Sequence, residues 1–219
     1  MNRLPAAVCF ALAGSLAAGI AAADTIVFDF EDLSGNPNRS AGDKTALLLA
    51  HDGFAALIKR TSGEKFTVWD SSGESVPDGW GSKHLSPTFN YFKDDYFLMS
   101  FSHPVASISI EFGDFGQDQD TAEIHAYSGL DGLGDLLGSA YGYLGNSDIS
   151  VDPPTRVEFV AGHGEMFSSV LFRAGANPFF QSAFMDNIEI RTDHAPAPGT
   201  LAVLALGALG ARRRRVGEA

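Results

Sequence analysis

The sequence predicts an all-β protein that folds as an antiparallel, jelly-roll-like β-sandwich. Hydrophobic and polar residues alternate in several short segments, which is the period of strands that bury only one face. Glycine, proline and aspartate separate these segments, and helical periodicity is almost absent from the body of the chain. Seventeen phenylalanines supply the bulk for a core between two sheets without disulfide bonds.

The strands are predicted from this alternation. It is most regular in a first strand at 25–31, a central strand at 105–112 and a last strand at 184–190. A short helix fits only at 41–52. Less regular strands are predicted at 54–60, 66–70, 96–102, 121–127, 137–143, 156–160 and 168–173.

The composition bounds the domain count and the partners. Two terminal segments, described below, leave residues 24–194 as one β-sandwich domain. This body holds 10 lysines and arginines against 26 aspartates and glutamates, a net charge of −16. Such a field repels phosphate backbones, so we expect no nucleic-acid partner. It favours cations, basic partners or plain solubility.

The N-terminus has the pattern of a secretory leader, residues 1–23. One arginine precedes an apolar run at 6–22, and three alanines end at Ala23 before a polar residue. We therefore expect a signal helix, cleavage after Ala23 and export. A buried N-terminal helix is the alternative reading. Cleavage would remove Cys9, the sole cysteine, so the mature chain could form no disulfide.

The body contains no convincing reaction centre. None of the six histidines falls at a two-histidine metal spacing, and no G-x-S-x-G nucleophile motif occurs. A glycosidase would need two carboxylates facing each other across a cleft. The body has 26 acidic residues, so the sequence does not exclude such a pair. We therefore expect a non-enzymatic protein, with a secreted hydrolase acting on polysaccharide or ester as the alternative.

The first and last strands suggest a metal site. Asp32 has the parity of the inward residues of the first strand, so it is expected on the core side. Asp186 similarly shares the parity of Phe184 and Ile188. If the two strands pair antiparallel, these carboxylates meet, and a cation would offset their burial. The hypothesis is a structural Ca²⁺ held by Asp32, Asp186 and Glu31; aspartates satisfied by the backbone are the alternative.

An aromatic residue in a turn suggests a binding site. Trp80 lies in a Pro-Asp-Gly-Trp-Gly segment, where a large ring is expected to be exposed. An exposed ring on a β-sandwich loop can stack on a sugar ring. The alternative is that Trp80 caps the edge of the core.

The C-terminal segment, 195–219, resembles a known sorting signal. Prolines precede an apolar run at 199–211, which is followed by a cluster of arginines. As a helix the run would be about 20 Å long, shorter than a full membrane span. The positions that carry the pattern are Pro196, Pro198, Arg212, Arg213, Arg214 and Arg215. They resemble the PEP-CTERM signal, although Ala197 stands where that family usually has glutamate; a permanent tail anchor is the alternative.

This resemblance implies a location and a partner. PEP-CTERM proteins occur in exopolysaccharide-producing Gram-negative bacteria and are processed by a membrane exosortase, after a transient insertion of the C-terminal helix. The body also resembles the β-sandwich ectodomains of this group, at 28–32, 110–114 and 184–190. The resemblance implies a cell-surface or extracellular-matrix protein that binds exopolysaccharide.

Overall fold

The fold is built almost entirely from β-strands. A computed structural model describes residues 24–39, 41–73, 80–88, 95–113, 120–145, 153–175 and 184–192. Within these ranges the chain forms strands and one 3₁₀ turn, Leu130–Gly132, and it contains no α-helix. In chain order the strands are β1 (Asp24–Phe28), β2 (Leu47–His51), β3 (Phe54–Arg60), β4 (Thr67–Asp70), β5 (Lys83–Ser86), β6 (Phe97–Val105), β7 (Ser107–Gly113), β8 (Asp120–Tyr127), β9 (Leu136–Gly145), β10 (Thr155–Val160), β11 (Phe167–Gly175) and β12 (Phe184–Thr192).

The strands form two antiparallel sheets. The first sheet has the order β10-β7-β12-β5-β4, with β1 also paired to β12, and the second has the order β2-β3-β6-β11-β8-β9. Strands β1, β12, β7 and β10 of the first sheet face β6, β11, β8 and β9 of the second, which is the strand order of a jelly roll; β4 and β5 extend the first sheet, and β2 and β3 extend the second. The predicted antiparallel sandwich is therefore confirmed.

The core lies between the two sheets. The second sheet contributes Ile58, Met99 and Phe172, and the first contributes Phe112 and Ile190, all of them fully buried. These side chains come from strands far apart in sequence, so the core forms only when both sheets are complete. Their burial is the main stabilising term of a domain without disulfide bonds.

Segment 41–52 contains a strand, which corrects the prediction of a short helix. Leu47 and Leu49 are buried whereas Leu48 between them is 65% exposed, the alternation of a strand. Asp52 and Gly53 have φ values of 44° and 84° and form a two-residue turn into β3. Residues with positive φ match the twist of a tight hairpin, so the turn imposes β pairing on a leucine-rich run.

A β-bulge in the last strand overturns part of the predicted parity. Asn187 has φ of 45°, and the register with β7 shifts between Asp186 and Glu189. Ile188 therefore faces the core, whereas Phe184 packs in a separate cluster on the outer side of the first sheet. The predicted grouping of Phe184 with Ile188 is wrong for this reason.

The terminal predictions lie outside the described residues. No helix in the part of the chain that the structure describes is long and apolar enough to cross a membrane. The leader with its cleavage residue Ala23 falls outside that part, as does the sorting segment 195–219. The sorting positions concerned are Pro196, Pro198, Arg212, Arg213, Arg214 and Arg215.

Candidate functional site

The outer surface of the second sheet carries a group of exposed aromatic and polar side chains. Tyr141 and Tyr143 on β9 are 69% and 61% exposed. They lie opposite Glu123 and Thr121 on β8, and all four project away from the core. We call this surface the tyrosine face; its members are Tyr96, Glu123, His125, Ser139, Tyr141, Tyr143 and Arg173.

Small residues on the inner side of β9 explain why its tyrosines face outwards. A Cβ atom at Gly138 would lie 2.7 Å from the ring of Phe159 on β10, and one at Gly142 would collide with Val157. The inner side of β9 therefore has no room for a large side chain. Because strand residues alternate in direction, the bulky tyrosine between these two glycines must point to solvent.

Glu123 is the hub of the tyrosine face. Its Oε1 accepts hydrogen bonds from the Tyr96 hydroxyl at 2.9 Å and from Arg173 Nε. The Arg173 guanidinium also lies 4.0 Å from the centre of the Tyr96 ring, a cation–π contact. Desolvation acts to raise the pKa of Glu123, but the hydrogen bonds from Arg173 and Tyr96 outweigh it and hold the pKa below its ordinary value.

His125 joins this hub to the exposed tyrosine. Its Nδ1 lies 2.6 Å from Ser139 Oγ, and its Nε2 lies 3.3 Å from Glu123 Oε2. The imidazole ring is 5.8 Å from the ring of Tyr96 and 6.0 Å from that of Tyr141, with edge-to-face geometry in both cases. Three rings and one carboxylate thus form a continuous row across neighbouring strands, held by contacts within the protein.

The 129–134 loop packs on the outer side of the same sheet. Asp131 pairs with Lys59 at 2.8 Å. The buried Ser169 hydroxyl accepts a hydrogen bond from the Gly132 N–H at 2.9 Å and donates one to the Gly129 carbonyl at 2.6 Å. Because Ser100 on β6 also hydrogen-bonds to Asp131, the loop is anchored to three strands of the sheet, β3, β6 and β11.

Trp80 does not supply the exposed ring that its turn predicts. It is only 7% exposed, packs with Trp69 and Phe184, and contacts His84 edge-on at 5.2 Å. A Cβ atom at Gly113 would collide with its ring, so the absence of a side chain at Gly113 admits the indole. The expectation that Trp80 is available for stacking on a ligand is therefore wrong.

The predicted calcium ligands are only partly brought together. Glu31 accepts hydrogen bonds from Ser82 Oγ at 2.7 Å and from the Lys83 N–H at 2.8 Å. Asp186 is fully buried and accepts one from the neighbouring Gly81 N–H at 3.3 Å. Both carboxylates thus bind the segment 81–83. Their partners are protein groups.

Asp32 lies elsewhere, which corrects its predicted place on the core side. Strand β1 ends at Phe28, and Phe30 adopts φ of 61° before a turn closed by the Leu33 N–H on the Phe30 carbonyl. The strand alternation therefore ends before Asp32, which is exposed. Among the described residues no group of three or more His, Cys, Asp or Glu side chains could hold a metal ion.

A buried Ser-His-Asp chain lies on the outer side of the first sheet. Ser71 Oγ is 2.9 Å from His84 Nε2, and His84 Nδ1 is 3.6 Å from Asp186 Oδ2. Burial raises the pKa of Asp186, against the opposing effects of His84 and the Asn187 N–H. These residue types in this order are those of a hydrolytic triad.

The hydrogen bonds of Ser71 in this Ser-His-Asp group are not those of a catalytic nucleophile. Ser71 Oγ is also 3.1 Å from the Ser82 carbonyl, which can only accept a hydrogen bond. Both contacts are satisfied when Ser71 donates to that carbonyl and His84 Nε2 donates to Ser71, which is the reverse of proton abstraction. Ser71 is 2% exposed and His84 is fully buried, so a substrate cannot reach them in this conformation. The contact of Ser71 with His84 is therefore a buried, structural hydrogen bond.

The sequence analysis missed the tyrosine face, although a signal was present. Tyr141 and Tyr143 are two residues apart within a predicted strand, and Gly142 separates them. This pattern indicates a strand with two large side chains on one face and only small residues on the other. The contribution of Tyr96, Glu123 and Arg173 could not be foreseen, because it depends on strand pairings between distant parts of the chain.

Comparisons with known proteins give no family. No family model matches the chain, and no curated protein matches it. The chain is similar to a solved DUF4465 family protein from Bacteroides caccae, with 13% identity and a TM-score of 0.44 over 76% of this chain and 98% of that one. It is also similar to the cleaved adhesin domain of Lys-gingipain from Porphyromonas gingivalis, with 13% identity and a TM-score of 0.31 over 77% and 89% of the two chains. A family 11 carbohydrate-binding module of a Clostridium thermocellum cellulosomal cellulase shows 14% identity and a TM-score of 0.31 over 77% and 95%. With TM-scores this low, the likenesses carry no argument about ligand or activity.

Proposed function

We propose that the protein is a non-enzymatic, exported module that binds glycans through the tyrosine face. The observation that carries the proposal is the pair of exposed rings at Tyr141 and Tyr143 beside the polar hub of Glu123 and His125. Large exposed apolar groups bordered by polar groups mark binding surfaces rather than ordinary solvent-facing strands.

A sugar can contact both the exposed rings of this surface and the polar groups beside them. The C–H face of a pyranose is apolar and covers an aromatic ring, while its hydroxyl groups require hydrogen-bonding partners around the ring. Tyr141 offers the ring, and Ser139, His125 and Glu123 offer donors and acceptors a few ångströms away. The hub is already held in place by internal contacts, so binding costs little side-chain ordering.

Within the part of this surface that the structure describes, the pair of carboxyl groups required for glycoside hydrolysis is absent. Among the described residues of the tyrosine face, Glu123 supplies the single carboxylate, and Arg173 and Tyr96 occupy one of its oxygens. A glycosidase needs two carboxyl groups, one of them protonated at working pH. A carboxyl group with a lowered pKa is a poor general acid. This supports binding in place of hydrolysis.

The test is a glycan array probed with the exported protein and with a Tyr141→Ala/Tyr143→Ala variant. If each ring loses roughly 50 Å² of apolar surface to the ligand, its removal costs about 1.2 kcal/mol, or roughly eightfold in affinity. The double variant is then expected to bind at least about fiftyfold more weakly. Val160→Ala removes an exposed apolar group from β10 in the other sheet and is the matched control.

The outcomes separate the readings. The proposal is supported if Val160→Ala still binds the glycan and Tyr141→Ala/Tyr143→Ala does not. Binding that survives in the double variant places the glycan elsewhere on the protein, and hydrolysis of a bound glycan would favour the alternative of a secreted hydrolase.

We also propose that the leader 1–23 exports the protein and that the segment 195–219 sorts it to the envelope or matrix of a Gram-negative bacterium. The support is the resemblance of Pro196, Pro198 and the arginine cluster to a signal processed by an exosortase. Intact-mass measurement of the protein from its native cells tests this. A mature chain that starts at Asp24 and lacks the final arginines is expected; a chain that runs from Met1 to Ala219 would contradict it.

A further inference from the structure

We propose that the ligand of the tyrosine face is an uncharged glycan and that the paired charges of this face exclude acidic polysaccharides. The inference rests on the proposed function, and it names the chemical class of the ligand. Its basis is the distribution of charge over the outer side of the second sheet.

Each outward-facing cation described on this sheet is already matched by a carboxylate. Arg173 is bound to Glu123, and Lys59 is bound to Asp131 at 2.8 Å. A uronate or sulfate group placed near Arg173 would meet the Glu123 carboxylate at the same time. Its attraction to the guanidinium is therefore largely cancelled, and it still loses solvation on binding.

The charge of the whole domain acts in the same direction. Residues 24–194 carry a net charge of −16, which repels an approaching polyanion at low ionic strength. An uncharged glycan is unaffected by this field. The exposed rings of Tyr141 and Tyr143 contribute to its binding independently of salt, because stacking on an apolar sugar face involves no net charge.

A pair of glycans with one backbone tests the inference on the full-length exported protein. One is a soluble β-1,4-glucan, and the other is its C6-oxidised form, in which carboxylates replace primary hydroxyls. Affinity is measured by calorimetry at low and at about 0.5 M salt, where surface charges are screened. We expect the neutral glucan to bind equally at both salt concentrations and the oxidised form to bind at least about fivefold more weakly at low salt, the effect of one exposed charge interaction.

Two variants convert the exclusion into attraction. Glu123→Gln keeps an acceptor for Tyr96 but leaves the Arg173 charge unmatched on the face. Thr121→Lys adds a cation at an exposed position opposite Tyr143 and leaves the residues of the hub unchanged. Either change is expected to strengthen binding of the oxidised glucan about fivefold at low salt. Glu158→Gln makes the same change of net charge at an exposed position on the other sheet and is the control.

The results distinguish this inference from the function on which it rests. If the wild type binds the oxidised glucan as tightly as the neutral one, the charge argument is overturned and the glycan-binding function stands. Equal gains in Glu158→Gln and in the two face variants would also overturn it, because the effect would then come from net charge alone. If Glu123→Gln fails to fold, Thr121→Lys still tests whether an added cation strengthens binding of the oxidised glucan. If the wild type binds neither these glucans nor any glycan of the array, the proposed function itself is wrong.

Discussion

Replacing Asp95 is expected to destabilise the sandwich and to disturb the tyrosine face at the same time. The Asp95 carboxylate accepts hydrogen bonds from Arg60 Nε at 2.6 Å, from Thr61 Oγ1 at 2.9 Å, and from the N–H and hydroxyl of Ser62 at 2.8 Å each. The side chains of the Arg60–Asp95 ion pair are 1% and 2% exposed. Asp95 directly precedes Tyr96, so its loss also frees the backbone that positions this ring.

The magnitude follows from the burial of the pair. Arg60 Nη1 also donates to the carbonyls of Lys65 at 3.0 Å and Pro87 at 2.8 Å, so the guanidinium stays buried when its carboxylate is removed. A buried charge left without its partner costs about 3–5 kcal/mol. For a domain of this size, each kcal/mol lowers Tm by about 2–4 °C, so Asp95→Ala should lower Tm by roughly 6–20 °C.

A double-mutant cycle separates the ion pair from general loss of packing. Asp95→Ala, Arg60→Met and the double variant are compared by urea denaturation, with Glu158→Gln as a surface control. The double variant should be less destabilised than the sum of the single variants, because it buries no unmatched charge. Single-variant losses below about 1 kcal/mol, or losses that simply add, would refute the reasoning.

Three further predictions address the site and its frame. Because the pKa of Glu123 is lowered in the fold, its network stabilises the protein above the unfolded value of 4.5 and is lost as the pH falls through the lower folded value. The Tm difference between wild type and Glu123→Gln should therefore be largest above pH 4.5 and shrink as the pH is lowered below that value, and a constant difference would contradict this. Gly142→Ala should cost about 1–3 kcal/mol by collision with Val157, whereas Gly73→Ala, with open space around it, should be tolerated in the same denaturation assay. A fluorophosphonate probe should leave Ser71 unlabelled in the folded protein, and a labelled Ser71 peptide in mass spectrometry would revive the hydrolase alternative.

The alternation of the sequence was sufficient to predict the sandwich. Strand β3 coincides with the predicted 54–60, and β1 pairs antiparallel with β12, which is the pairing that the calcium hypothesis assumed. Period-2 alternation states which residues share a face, and two complementary faces can bury each other in only a few arrangements. This is why the all-β sandwich could be predicted without a family match.

Strand alternation assigned side chains to the wrong face where a residue other than glycine adopts a positive φ. Phe30 at 61° and Asn187 at 45° each interrupt the alternation, and the predicted placements of Asp32 and Phe184 failed for that reason. Phenylalanine rarely adopts this conformation, so nothing in its identity signals a turn. The calcium hypothesis depended on continuing both strands through these positions, but Asp32 is exposed whereas Asp186 is fully buried.

The contrast between Trp80 and Tyr141 explains why the exposed aromatic ring was predicted at the wrong residue. A turn predicts exposure on average, but Trp80 is buried because Gly113 leaves space for its ring. A strand predicts alternation, and Tyr141 is exposed because the inner side of β9 is closed by Phe159 and Val157. In both cases a glycine decides the outcome: Gly113 on β7 leaves room for the Trp80 ring, and Gly138 and Gly142 mark the closed inner side of β9 itself. Local sequence specifies the turn or the strand, whereas the space around it is set by partners brought together only in the fold.

The fixed hub of the tyrosine face bears on how tightly it can bind. Tyr96, Arg173 and His125 are held by Glu123 before any ligand arrives, whereas the Tyr141 ring keeps most of its surface in solvent. Ordering costs on binding therefore fall mainly on the tyrosines, which have only two side-chain torsions each. Under the proposed function, a glycan gains apolar contact there and exchanges water for protein hydrogen bonds at the hub. The proposal therefore assigns affinity to the exposed rings and selectivity to the charges that the hub keeps paired.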